Sequence, residues 1–456
     1  MKARILHSIL LVAVVALVHV GTAQAQAAHS ANVGLISCTP APCVLPPTQA
    51  SEGGAEVANA PIVSDPLNPM HLLLGANDAN CQFDLGAFVS SDGGSSWNRT
   101  CFTRGVGLDA PAGLPTVTYD RRGVAYVASV YRHYGYLQGL VAVQSSTDGI
   151  NWSKPVKALQ EGQIPSDAWL AADTNPTSPH VNGLYVSAVV HYANSSRVYV
   201  SHSSDGGATW QAVPVAPSQI PPAGDAYTNM TVGKDGTVYL AWMYCDSGPF
   251  YFCTNNKGNM VFSKSIDGGN SWSRPTLMAT VTLGNGIPNT SVGAENYPAI
   301  GVDNSNGPHA GNLYVVMYNW TGTFMQVQVI RSTDGGNTWS KPVPVAPVSD
   351  IHDQFFPWLS VSPTGLVGVS WLDRRNDPAN IDYQAFAAIS TDGGQTFPNV
   401  QLTTAFSNPN NNGYVNNGWM GDYTGNTWAG PDFVAAWMDS SNGVDMQDVV
   451  GGIRLH

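Results

Sequence analysis

The chain alternates between short apolar runs and polar corners, and no stretch of it holds a helical period. Runs such as "GVAYVASVY" at 123, "GLYVSAVVHY" at 183, "GTVYLAWMY" at 236 and "GNLYVVMYNW" at 311 are rich in β-branched and aromatic residues. Gly, Asp or Asn bounds them, a combination that predicts strands. With "HLLLGAN" at 71, "GLVGVSWLD" at 365 and "DFVAAWMDS" at 432 there are seven such runs. Most follow another strand-like segment across an Asp or Gly turn, as in "LPTVTYDRRG", "TNMTVGKDG" and "YPAIGVDNSNG".

A second pattern runs in parallel. "RSTDGGNTWSKP" at 331 has five relatives, and their Asp residues are Asp92, Asp148, Asp205, Asp267, Asp334 and Asp392, at intervals of 56 to 67 residues. Each box follows an apolar run and leads into another strand, the position of a tight antiparallel corner. Asp and Ser side chains bond nearby backbone N–H groups, Gly accepts positive φ, and the Trp folds back as an apolar plug. The unit is strand, turn, strand, loop, strand, boxed turn, strand. Four strands per repeat without helices predict an all-β fold, a β-propeller. Seven second strands predict seven four-stranded blades, with six as the alternative count. The last unit, from Gly418, lacks a box and a fourth strand. The N-terminal stretch near "ANVGLISC" at 31–38 is expected to supply that strand, hiding two sheet edges and locking the ring.

Residues 1–25 read as a signal peptide: "MKAR" is the basic start, "ILHSILLVAVVALVHV" the apolar run and "AQA" the small-residue cleavage site. Residues 26–50 form the N-terminal segment that completes the last blade, and 51–456 the propeller. A secreted or periplasmic protein is expected. Six cysteines fall into local pairs, Cys38 with Cys43, Cys81 with Cys101 and Cys245 with Cys253, although fifteen pairings are formally open. Charged residues make up only 11% of the chain and the net charge is −12. That argues against nucleic acid and against anionic membranes. No second apolar stretch is long enough to span a bilayer. The chain has no CxxC, HExxH or GxSxG, and the calcium-like "DNSNG" at 303 has Tyr314 where the chelating Glu belongs. No metal and no cofactor are expected, and a monomer is.

In a propeller, ligands gather at the channel mouth formed by the loops after each second strand and before each first strand. Those loops carry "YRHYGY", "HYANSS", "YCDSGPFYFC", "YNWTG" and "LDRRNDPAN", and "PSDAW", "DAYTN", "GAENYP", "HDQFFP" and "NNGWMGDY". Rings stack on sugar faces while amides and carboxylates bond hydroxyls, so a glycan ligand is expected there. The alternative is that these rings plug the channel. Candidate substrate contacts are Arg132, His133, His191, Tyr244, Trp320, Asp353 and Trp419. Glu295 is one of four Glu residues beyond the leader, and it precedes a first strand. Asp373, a further candidate catalytic acid, is followed by the candidate substrate contacts Arg374 and Arg375, which read either as a carboxylate clamp or as a salt-bridge network.

The boxes resemble the Asp-box, or BNR, repeats of the sialidase-like β-propeller superfamily, consensus Ser-x-Asp-x-Gly-x-x-Trp. Five copies keep the Asp-to-aromatic spacing, the last with Phe397, and the copy at Asp148 is one residue short. The resemblance implies an exo-acting glycoside hydrolase. Asp78 or Asp84 matches the sialidase acid/base, Glu295 the helper acid, and Tyr423 or Tyr414 the nucleophile. Two positions depart from it. Ala60 stands where the first sugar-gripping Arg belongs, and Tyr318–Trp320 where another does, the Arg pair lying one blade later behind Asp353 and Gln354. A non-catalytic propeller that binds glycan or protein, and a lyase on the same scaffold, therefore remain alternatives.

Overall fold

The computed structural model describes residues 42–51, 54–107, 109–133, 138–220, 222–247, 253–411, 418–443 and 445–455. The expected leader at 1–25 and the expected strand at 31–38 lie outside them. Seven antiparallel sheets follow one another in chain order, each a blade of four main strands. Their innermost strands are Ile62–Ser64, Thr116–Tyr119, Ile164–Ala172, Gly224–Val232, Ala299–Val302, Gln354–Val361 and Gly425–Ala429, for blades 1 to 7. Each innermost strand packs beside the next, and that of blade 7 packs beside that of blade 1, so the ring is closed. The seven-blade reading holds.

Closure is made by the N-terminal strand. Cys43–Gln49 pairs antiparallel with Gln447–Arg454, Cys43 opposite Arg454 and Gln49 opposite Val449, and so becomes the outer strand of blade 7. The closing strand thus starts a few residues beyond the one expected. Second strands are buried on both faces: Val367–Asp373 buries every residue, and Ala125–Arg132 all but Arg132. This explains why they read as continuous apolar runs without a clean alternation.

Five of the six corners share one geometry. In the first, Ser90 Oγ accepts the Gly94 N–H at 2.8 Å and donates to Asp92 Oδ1, which also accepts the Ser96 N–H. Gly94 holds φ at +93°, a value open chiefly to Gly. In the corner at Asp148 the accepted N–H comes from Gly149, three residues after Ser146 and not four, so the missing residue is absorbed inside the turn. Cys81–Cys101 and Cys245–Cys253 are disulfide-bonded as expected. The third pair involves residue 38, outside the described residues. No helix among the described residues is long and apolar enough to cross a membrane.

Candidate active site

At the end of the channel where the innermost strands begin, several of them break register. Bulges fall between Ser166 and Trp169, Ala226 and Asn229, and Phe355 and Trp358. Asp167, Tyr227 and Phe356 sit within them at positive φ, a conformation that non-Gly residues adopt at a cost. A bulge re-aims side chains, and here it turns them toward the shared axis. The result is an aromatic plug. The Trp169 and Trp358 rings lie 4.8 Å apart, Tyr423 meets them at 5.7 and 5.8 Å, and Tyr297 lies 5.3 Å from Tyr423 and 4.8 Å from Tyr227.

Three acids gather at this plug. Asp167 accepts hydrogen bonds from Ser166 Oγ at 3.0 Å and from the Tyr297 hydroxyl at 3.2 Å. Burial pushes its carboxyl up to about 6 despite those bonds, and Asp422 adds to the rise. Ser166 Oγ also lies 2.9 Å from His191 Nε2. Since the Ser166 proton goes to Asp167, His191 donates here. Burial lowers its pKa to about 4, so it is neutral.

Glu295 stands on the loop leading into blade 5. Asn296 fixes that loop by bonding both the N–H and the C=O of Tyr318 at 2.9 and 2.8 Å. The Gly293 N–H reaches Gly418 O at 2.9 Å, tying the loop to the one leading into blade 7, which carries Asp422. Burial, then the Asp422 carboxylate, then Asp167 hold the Glu295 carboxyl well above the usual range. Its buried Oε2 has no hydrogen-bond partner. Asp422 is held differently. Oδ1 accepts Trp419 Nε1–H at 2.8 Å and Oδ2 accepts Asn59 Nδ2–H at 3.4 Å. Those donors oppose the rise that burial causes. Both carboxyls are raised by burial, but Asp422 has side-chain donors that favour its ionised form, while the neighbouring acids push Glu295 further toward its protonated form.

A cleft of about 660 Å³ opens over Glu295, walled by Tyr227, Tyr318 and Trp419 and floored by the 283–286 and 291–296 segments. Trp419 thus lines the cleft with Glu295, while Tyr423 belongs to the plug. Tyr423 is buried, its hydroxyl donating to Pro115 O at 2.7 Å. Trp320 is half-buried at the end of the second strand of blade 5. The remaining sequence candidates lie apart from this cluster. Asp78 is buried, paired with Arg99 at 2.9 Å and bonded by Asn80. Asp84 is exposed nearby, its carboxyl raised by partial burial and by Asp78. Asp373 binds Arg375 Nη2 at 2.5 Å and Trp371 Nε1 at 2.7 Å, and Arg375 also reaches Asp350 at 3.3 Å. Arg374 is fully buried, donating to Pro288 O at 2.8 Å and meeting Asp353 at 3.4 Å. Asp353 further accepts the Met325 N–H and an Asn380 N–H. Arg132 is exposed, and His133 meets Asp109 at 3.5 Å. Tyr244 lines a separate crevice with Asp225, whose carboxyl burial pushes up to about 7.

Asp167 and Asp422 are the site acids that the sequence reading did not single out. A signal was present: three successive lead-ins read acid-x-aromatic, as Asp167-Ala-Trp169, Asp225-Ala-Tyr227 and Glu295-Asn-Tyr297.

Fold and mouth together define a seven-bladed, four-stranded propeller with an acidic, aromatic-walled channel mouth. No known family profile matches the chain. It is similar to a xyloglucanase of a Paenibacillus species, 26% identical over 297 residues, 61% of this chain and 26% of that protein. It is also similar to a sialidase of Micromonospora viridifaciens, 28% identical over 227 residues, 47% of this chain and 33% of the sialidase. These alignments span a quarter to a third of the relatives' lengths. Among solved structures, an ulvan lyase shares the fold, with a TM-score of 0.54 at 13% identity over 88% of this chain and 95% of the other.

Proposed function

We propose that this protein is an exported glycoside hydrolase of the Asp-box, sialidase-like propeller class, with Glu295 as general acid and Asp422 as the ionised partner. The observation that carries this reading is the unequal pair: two interacting carboxyls, one with a buried oxygen that no donor reaches and one with two side-chain donors. Glycoside hydrolysis needs such a pair. The Glu295 O–H gives its proton to the glycosidic oxygen as the C–O bond breaks. The Asp422 carboxylate attacks the anomeric carbon, or takes a proton from the water that does. Asp167 adds negative charge beside the oxocarbenium-like centre, and Trp419 and Tyr227 offer faces for the ring. The sialidase and xyloglucanase relatives, and disulfides suited to an oxidising compartment, support the reading.

The test is turnover of a panel of aryl glycosides and natural oligosaccharides. Glu295→Gln and Asp422→Asn are each expected to lower kcat by roughly 10²–10⁴-fold. Glu295→Gln should lose less on substrates with a good leaving group, which need no protonation. Binding of oligosaccharides without turnover by the wild type would instead establish a non-catalytic lectin-like propeller.

A further inference from the structure

We propose that the mouth is selective for uncharged sugars, taking a neutral glycan and rejecting sialic acids, uronates and sulfated sugars. This rests on the glycosidase reading of the Glu295–Asp422 site. Anionic sugars are held by fixed cations, above all by the planar fork of Arg. None of the residues lining the cleft over Glu295 is Lys, Arg or His. Of the arginines at this end of the ring, Arg132 is exposed but does not line the cleft, and three others are engaged elsewhere. Arg374 is fully buried between Asp353 and Pro288 O, beneath the Phe355 ring. Arg375 lies between Asp373 and Asp350. Arg197 donates to Ala216 O.

Against this, Glu295 lines the cleft, and the Asp422 and Asp167 carboxyls lie close enough behind it to raise its pKa. A ligand carboxylate or sulfate there would meet like charge without a counter-ion, the arrangement that excludes partners at interfaces. What the cleft does offer suits hydroxyls and ring faces. Thr254 and Ser291 supply hydroxyls, Asn256 and Asn285 supply amides, and Trp419 and Tyr227 supply aromatic walls.

The experiment compares sugars that differ only in charge. Aryl glucosides and galactosides of both anomers are assayed beside the matching glucuronides and galacturonides, with an aryl sialoside added. Binding of neutral oligosaccharides and of their C6-oxidised counterparts to Glu295→Gln is measured by calorimetry. Neutral members are expected to be preferred by at least about 100-fold. Asp167→Asn should narrow that gap by strengthening the acidic member, which loss of packing alone would not do. Turnover or equal binding of an acidic member overturns the charge selectivity while leaving the hydrolase standing. Neutral binding to Glu295→Gln without wild-type turnover overturns the hydrolase while leaving the selectivity. Binding of neither member overturns both.

Discussion

Glu295 is costly to hold where it is. Its Oε2 is buried without a donor, and a Cβ on Gly293 would come within 2.9 Å of its Oε1, so the chain keeps Gly there to make room. Burial and Asp422 raise its pKa in the folded state. The unfolded chain releases that proton at the ordinary value of 4.5 while the folded chain retains it. Stability therefore falls as pH rises from that value toward the folded pKa, and the contribution present at low pH is gone above it. Glu295→Gln removes the titration. The variant is expected to be strongly impaired in turnover yet more stable than the wild type at neutral pH, with little difference near pH 3, as thermal unfolding across pH would show. Activity should have an alkaline limb set by the Glu295 proton, and Glu295→Gln should abolish that limb. The mechanism does not use Asp448, which makes a control. It is fully buried in the third strand of blade 7, both carboxyl oxygens without partners, its pKa raised by burial and by Asp78. Asp448→Asn should flatten the fall in stability above the carboxylate range and leave the pH–rate profile in place. A shifted profile would mean that Asp448 is coupled to the site.

Each corner is a closed local circuit, which makes it legible. Ser332 Oγ accepts the Gly336 N–H at 2.9 Å and donates to Asp334, whose two oxygens also take the Thr338 N–H and hydroxyl. Thr338 and its counterpart Thr209 hold Asp334 and Asp205 down to about 2. Ser332 is 1% exposed, so Ser332→Ala strands a buried donor. The expected loss is about 1–3 kcal/mol, read from denaturant midpoints, with kcat unchanged because the corners lie at the end of each blade away from the mouth. Strand count, corner chemistry and blade number could be read from sequence because they rest on contacts a few residues apart. The mouth could be read only in part. Asp373-Arg374-Arg375 reads equally as a clamp or a network, and only tertiary structure shows the partners Asp350, Asp353 and Pro288 O. Asp167 and Asp422 reach the centre because of a bulge at Ser166–Trp169 and a Gly421 at φ +114°. Both are backbone events, and hydrophobic periodicity does not register them.

At the scale of the whole ring, closure and chemistry meet at one seam. The Cys43–Gln49 strand covers the edge of Gln447–Arg454, and Ser51 clamps its end by donating to Gln447 Oε1 at 2.7 Å and accepting the Asp448 N–H at 2.9 Å. Immediately beyond, Asn59 of blade 1 crosses to blade 7, where its amide accepts the Asp422 N–H and donates to Asp422 Oδ2. The N-terminal segment thus holds together the two blades whose junction gives Asp422 the Asn59 donor. A chain beginning after residue 51 would expose a sheet edge, with a lower unfolding midpoint and a tendency to associate through that edge. It should also lose donor support at Asp422, so the acid limb of the pH–rate profile should move to higher pH. A peptide of residues 42–51 supplied in trans should restore both by strand addition. If the shortened chain lost stability but kept its acid limb, the seam would be a structural closure only. If both moved together and the peptide returned both, the closure of the ring would be setting the charge of the residue proposed to do the chemistry.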